Sequence, residues 1–409
     1  MIGSYLVLLS ALAFSPEGDP AAVAKKIPDD PYFTRQVSFE HAGGQARFDQ
    51  ASYAESPIEF ALTDSIHLNV TRAWSITTGS SDVVVALLDD GFFYSHEDLQ
   101  GNIWSNPGET GVDEKGYPRE TNGKDDDGNG YVDDVSGWDF VFDDPDPDCY
   151  VFDGRDATKV QPYRHSISAL GIIGAVGDNG VGVAGINWEV SMMLLKTAAQ
   201  GNTGTEERVE RTALAVRYAV DNGARIINWS GFVQTTDPVE LEPLQQAFDY
   251  AEKQNVLIVI GAGNEAANMD LDENCFFPGC AQNENVVSVA EVDFDGSLYV
   301  VPDDSKYIGG SNFGPRNVDI AAFAQNFTTD LRHGRSTYSL GGGTSNAAPV
   351  VSGVAALVLS VRPELGAREL KRILMESARR LPALKDKVAS GGMVDAYAAV
   401  TLALDGGRD

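Results

Sequence analysis

Six consecutive apolar side chains, Val83-Val84-Val85-Ala86-Leu87-Leu88, run without a break into Asp89-Asp90-Gly91. A strand that never alternates with polar residues needs apolar cover on both faces, and a parallel sheet between two layers of helices provides it. Similar runs recur at residues 192–196, 226–228, 256–260, 286–290 and about 318–321, separated by helical periodicities at 167–176, 206–222, 241–254, 347–361, 367–379 and 394–404. The alternation predicts an α/β chain, a three-layer α/β/α sandwich around a central, mostly parallel sheet. With 409 residues, 43% of them hydrophobic, and neither an internal repeat nor a low-complexity linker, one large domain over 27–409 accounts for most of the chain. Residues 1–26 read as a leader segment, and about 105–160 as an acidic insertion.

Chemistry in such sheets sits just past the carboxyl ends of the buried strands, which is where Asp89 stands. A second candidate is Ser345 in Gly341-Gly342-Gly343-Thr344-Ser345-Asn346-Ala347-Ala348-Pro349, directly before an apolar run to Val361. Glycines permit the sharp turn, and the unpaired N–H groups of a first helical turn favour a developing negative charge beside the hydroxyl. A Gly-Thr-Ser helix cap has the same composition, so a nucleophile also requires a base and an acid to orient it. Of five histidines, His41 and His67 lie in polar N-terminal connections, His96 follows the aspartate-bearing strand, and His333 sits in a loop near Arg332 and Arg335. His165 remains, at the mouth of the small-residue helix expected at 167–176.

The order Asp89, His165, Ser345 resembles that of the subtilases, the subtilisin-like serine proteases. Val85-Ala86-Leu87-Leu88-Asp89-Asp90-Gly91 is similar to the family's aspartate motif, and Gly343-Thr344-Ser345-Asn346-Ala347-Ala348-Pro349-Val350-Val351-Ser352-Gly353 to its serine motif. Val256-Leu257-Ile258-Val259-Ile260-Gly261-Ala262-Gly263-Asn264-Glu265 resembles the strand and turn that supply an oxyanion asparagine. The likeness extends from Pro28-Asp29-Asp30-Pro31-Tyr32-Phe33 to Gly391-Gly392-Met393-Val394-Asp395-Ala396-Tyr397. It implies a subtilisin-like fold and a serine endopeptidase acting on peptide or protein substrates. Asp89, His165 and Ser345 would form the triad, Asn264 would complete the oxyanion hole, and Ser230, Gly231 and Gly263 would hold the substrate backbone. Three positions depart from the pattern. His165-Ser166-Ile167-Ser168 stands where the family reads His-Gly-Thr-His, Val350 where a histidine is common, and Phe232 near a usual glycine, so the cleft is expected to be narrowed there. The alternative reading is a catalytically impaired subtilase-fold protein that binds peptides or scaffolds an assembly. Glu265 either favours a basic residue at the cleavage position or is a solvated loop charge.

A net charge of −30, from 60 acidic and 30 basic residues, argues against nucleic acid and anionic lipid as partners. The excess concentrates between Glu109 and Asp156. Asp125-Asp126-Asp127-Gly128-Asn129-Gly130-Tyr131-Val132-Asp133-Asp134 spaces oxygen ligands around glycines as a hard-cation loop does, yet lacks the terminal glutamate of an EF-hand. Asp125, Asp127, Asn129, Asp133 and Asp134 are therefore the expected Ca2+ ligands, the competing reading being a solvated acidic turn. Subtilases often carry such a loop between their aspartate and histidine motifs, and the resemblance implies a second calcium site at Asp98 and Asn179. The N-terminal run Tyr5-Leu6-Val7-Leu8-Leu9-Ser10-Ala11-Leu12-Ala13-Phe14 is similar to a signal-peptide core without a positive flank and is too short for a permanent span. Export signal is the first expectation, giving a secreted or envelope protein, and a short buried or interfacial segment is the second. Cys275 and Cys280 bracket Phe276-Phe277-Pro278-Gly279 and either form a disulfide or stay as two buried thiols, while Cys149 has no obvious partner. The protein is expected to be a monomer.

Overall fold

The computed structural model describes residues 24–49, 57–64, 66–149, 165–198, 205–233, 235–301 and 309–406. The leader up to residue 23 and the insertion from residue 150 onward fall outside them. In chain order the described elements are β1 (Gly44–Phe48), β2 (Ile58–Leu62), α1 (Val70–Ala73), β3 (Gly79–Asp89), β4 (Gly137–Asp139), α2 (His165–Gly174), β5 (Glu189–Lys196), α3 (Thr205–Asp221), β6 (Ile226–Trp229) and α4 (Pro238–Lys253). They continue with β7 (Leu257–Gly261), β8 (Val286–Val292), β9 (Ile320–Phe323), β10 (Phe327–Arg332), β11 (Arg335–Leu340), α5 (Thr344–Val361), α6 (Ala367–Glu376), β12 (Arg379–Arg380), β13 (Gly392–Met393) and α7 (Ala396–Asp405).

Nine strands form one sheet in the order β12-β13-β9-β8-β7-β6-β3-β5-β4, parallel throughout except for β12 at one edge. The run read as doubly buried behaves so. Val83, Val85 and Leu87 join the core shared with α2 and α5, whereas Ala86 and Leu88 join the core under α3 and α4. Helices therefore cover both faces, and the three-layer α/β/α expectation holds. Winding runs from β3 to β5 on one side and returns across it to β6 through β9 on the other. The crevice at the carboxyl ends of β3 and β6 is thus a topological switch point.

α5 anchors the molecule beneath that crevice. Val350, Val351, Val354, Leu357 and Val358 are all fully buried, each contributing about 1.5–3 kcal/mol by leaving water. The helix is long and apolar enough to cross a membrane, but 83% of it is buried in the protein, as befits a core helix. Capping shifts two ends from their sequence-predicted places. The Asp237 side chain accepts from the Val239 N–H at 2.9 Å and starts α4 at Pro238, and Asp395 likewise accepts from the Ala398 N–H at 3.0 Å and starts α7 at Ala396. Two antiparallel pairs, β1 with β2 and β10 with β11, were not expected from the sequence. His333 and Gly334, with φ of 53° and 70°, make the two-residue turn between β10 and β11, so the residue read as lying in a loop is a hairpin corner. Lys25 pairs with Glu40 at 2.8 Å and the Lys26 N–H donates to the Thr71 carbonyl at 3.0 Å, so the described end of the leader-like stretch is tied to the body.

Candidate active site

Asp89 ends β3 and is 9% exposed, with Oδ1 and Oδ2 lying 2.8 and 3.1 Å from His165 Nδ1. Facing a carboxylate, Nδ1 carries the proton, which leaves Nε2 as the acceptor on the neutral ring. Asp89 pushes the imidazole up to about 9, against the opposing effect of burial. Burial and the neighbouring Asp89 push the Asp90 carboxyl up to about 7. Gly91 turns the chain away at φ 106°, and a Cβ there would meet the Asp148 carbonyl at 2.7 Å.

His165 opens α2. The departure from the family pattern beside it has a local use: Ser166 is fully buried and its Oγ donates to the Gly91 carbonyl, tying the start of α2 to the turn that carries Asp89. Ser168 Oγ donates to the His165 carbonyl at 3.1 Å. Val350, where the family commonly has histidine, is sealed in the core.

Ser345 lies in the first turn of α5, and two cross-links fix that turn. The Thr344 N–H donates to Asn264 Oδ1 at 2.8 Å, and Thr344 Oγ1 accepts from the Gly263 N–H at 3.0 Å. Pro349 lacks the N–H that would pair with the Ser345 carbonyl in the helix. That carbonyl instead accepts from Ser230 Oγ at 2.8 Å. Ser345 Oγ itself donates to the Ser230 carbonyl over 3.4 Å, and among the described residues it makes no hydrogen bond to His165. A hydrogen bond between the two would require that hydroxyl to turn toward Nε2.

Asn264 is exposed, its Oδ1 held by Thr344 while its Nδ2 donates to no described group. Gly263 precedes it at φ 102°, where a Cβ would meet Asn312 Nδ2 at 2.4 Å. Glu265 Oε2 accepts from the Asn264 N–H at 2.9 Å and from Asn312 Nδ2 at 2.7 Å, so this carboxylate braces the turn. His165, Ser345, Asn264, Ser230, Gly231 and Gly263 all line one cleft of about 720 Å³. Phe232, 45% exposed, forms part of its wall and packs edge to face on Phe276 with ring centroids 6.0 Å apart.

In the acidic insertion, Asp127 and Asp134 each place a carboxylate oxygen within 4.8 Å of the others in a cluster completed by Glu109, a residue the sequence pattern did not single out as a ligand. Glu109 Oε2 is buried without a hydrogen-bond partner. Burial raises the Glu109 and Asp134 carboxyls, and like charges nearby add to the shift. Three hard oxygen donors converging around an orphaned buried oxygen fit a hard cation. Asn129 Nδ2 donates to Asp134 Oδ2 at 2.9 Å and to Asp127 Oδ2 at 3.2 Å. Asp125 turns to the loop backbone, accepting from the N–H groups of Gly128 at 2.6 Å and Gly130 at 2.9 Å, and Asp133 accepts from the Gly123 N–H at 3.1 Å. Asp98 and Asn179 do meet, Asn179 Nδ2 donating to Asp98 Oδ1 at 3.0 Å, while the Val183 N–H donates to Asp98 Oδ2 at 2.9 Å. Cys275 and Cys280 are joined in a disulfide with Cα atoms 5.7 Å apart. Cys149 is a buried thiol packed with Phe93, Ile167 and Leu331.

The Subtilase family model matches residues 80–397. Subtilisin-like protease 1 of Plasmodium berghei is 27% identical over 95% of this chain and 62% of its own length, and an extracellular protease of Xanthomonas campestris is 29% identical over 84% of this chain and 55% of its own. The chain thus spans roughly half to three-fifths of these relatives. A protease of Pseudoalteromonas arctica has a solved structure that is 26% identical, superposes with a TM-score of 0.62, and aligns over 92% of this chain and 99% of its own. A lanthipeptide protease follows at 25% identity and a TM-score of 0.56, over 81% of this chain and 91% of its own. Strand order, the residues gathered at the switch point and a family match over most of its length agree: the chain belongs to the subtilase family.

Proposed function

We propose that this protein is a calcium-stabilised, exported serine endopeptidase. The observation that carries the reading is the arrangement around one cleft of an Asp89–His165 pair, the Ser345 hydroxyl and the uncommitted Asn264 amide. In this mechanism the neutral His165 Nε2 removes the proton from Ser345 Oγ as that oxygen attacks the scissile carbonyl. Asp89 holds the ring in the Nδ1–H tautomer and stabilises the imidazolium that forms. The oxyanion lies between Asn264 Nδ2 and the Ser345 N–H. His165 then gives its proton to the leaving amine, and water repeats the sequence to release the acid. Ca2+ held by Glu109, Asp127 and Asp134, with loop oxygens beside them, would neutralise the crowded carboxylates and clamp the insertion to the body. Export accords with the disulfide, which needs an oxidising compartment, and with the name of the extracellular relative.

The second reading, a peptide-binding protein with little turnover, has in its favour the Ser345 Oγ contact to Ser230 in place of His165. Steady-state kinetics on a quenched peptide separate the two. Asn264→Leu is expected to lower kcat by roughly a hundredfold or more with KM little changed. A loss confined to KM would make Asn264 a turn residue only, and an unmodified protein that cleaves no peptide would favour the binding reading.

A further inference from the structure

We propose that Arg208 selects substrates that carry an acidic side chain within two or three residues of the scissile bond, an inference that rests on the peptidase reading of the same cleft. Arg208 sits in the first turn of α3 and lines the cleft with His165 and Ser345. Among the described residues its guanidinium makes no hydrogen bond or ion pair. Its place is set by an aromatic face, its Cζ lying 5.7 Å from the Phe232 ring centroid, and Phe232 is in turn propped by Phe276. A guanidinium held by a ring keeps its donors for something else, and its planar fork matches a carboxylate in two parallel hydrogen bonds.

Two of the other charged groups in the cleft are held by hydrogen bonds within the protein. Asp89 is bound to His165, and Glu265 to the Asn264 N–H and Asn312. Asp90 Oδ1 is buried and has no hydrogen-bond partner, and as a carboxylate oxygen it offers nothing to an acidic side chain. Arg208 therefore remains to read charge on a substrate. Asp89 and Asp90 lie near enough to act on it electrostatically, but neither hydrogen-bonds it, so an incoming carboxylate that does so adds contacts these residues do not make.

Position follows from the segment that leaves β6 after Trp229. Ser230 touches Ser345, which marks the reacting carbonyl, and Phe232 lies two residues beyond it. At about 3.3 Å per residue an extended peptide laid along Ser230, Gly231 and Phe232 reaches the Arg208 wall two to three residues from that carbonyl. Such a partner is an acidic peptide segment, and a lysine at the same point would meet a like charge.

The test is a set of quenched peptides that carry Glu, Gln or Lys in turn at each position flanking one cleavage site. At one position the unmodified protein should favour Glu over Lys by about tenfold or more in kcat/KM, the scale of a close charge pair, and Arg208→Glu should invert the order, a gain that a misfolded variant could not show. Binding of the same peptides to Ser345→Ala, read by fluorescence anisotropy, measures recognition without turnover. A Glu preference in binding that vanishes in the Ser345→Ala, Arg208→Glu double variant upholds the proposal even if no peptide is cut, in which case only the catalytic reading fails. No Glu preference at any position in either measurement, or one that survives Arg208→Glu, overturns it.

Discussion

At the scale of single residues, the Asp89–His165 contact sets how the site should respond to pH. Catalysis needs the neutral ring, and Asp89 favours the charged one, raising the imidazole to about 9. The side chain of His165 is 43% exposed, so water screens part of that attraction. The log of kcat/KM is expected to rise with pH and level off only in the alkaline range, with an apparent pKa between the ordinary imidazole value and about 9. Asp89→Asn removes the carboxylate and should cut activity by roughly 10⁴-fold while moving the residual limb to lower pH. A limb at or below about 6.5 in the unmodified protein would contradict this. Asp89 and Ser345 were legible in the sequence because each ends or begins an apolar run that places it at the sheet's carboxyl edge, whereas Asn264 was named only by the motif's resemblance to the family's. His165 emerged by elimination and by motif. Arg208 was not legible, since in the sequence it is one more charge among the glutamates of an amphipathic helix, and only tertiary packing brings it to the cleft.

At the scale of elements, the turn that carries Ser345 rests on a buried polar pair. Glu291 on β8 is 1% exposed and accepts from Gln325 Nε2. Burial pushes its carboxyl up to about 8, against the hydrogen bonds from Gln325 and the Gly343 backbone. A carboxyl that titrates near 4.5 when unfolded and near 8 when folded contributes stability that is complete below about 4.5 and is lost as pH rises through about 8. Glu291→Gln removes this dependence. The melting temperature of the variant should match that of the unmodified protein near pH 4.5 and exceed it at pH 9; a difference that does not change with pH would contradict the assignment.

The acidic insertion belongs to the same scale. A cation bound only by the folded loop stabilises it by mass action, so chelation should lower the melting temperature and expose the loop to proteolysis. Magnesium should restore little, because it demands a tighter octahedron. Glu109→Gln with Asp134→Asn should abolish the calcium response, and superimposable melting curves with calcium and with chelator would leave the insertion a solvated acidic loop. The run from Asp125 to Asp134 showed where carboxylates crowd. It could not show which of them converge, because Glu109 enters from a segment earlier in the chain and Asp125 is taken up by the turn's own N–H groups. The β10–β11 hairpin was missed for a related reason, its strands being too polar to stand out and its turn being His-Gly in place of the commoner Asn-Gly.

At the scale of the whole molecule, one sheet order explains why residues far apart in sequence meet. β3 and β6 lie side by side at the switch point, α5 is buried along its length beneath them, and its first turn is pinned to the end of β7 through Thr344, Gly263 and Asn264. This layout was readable because doubly apolar strands and long helices alternate along the chain. The account's central claim is that it makes Ser345 an activated nucleophile. Incubation with a fluorophosphonate, which bonds only an activated serine, followed by peptide mass mapping, tests this most directly. The account predicts near-stoichiometric attachment at Ser345, lost in Ser345→Ala and strongly slowed in His165→Ala with the fold retained in both. No attachment to the unmodified protein, or attachment at another residue, would contradict it.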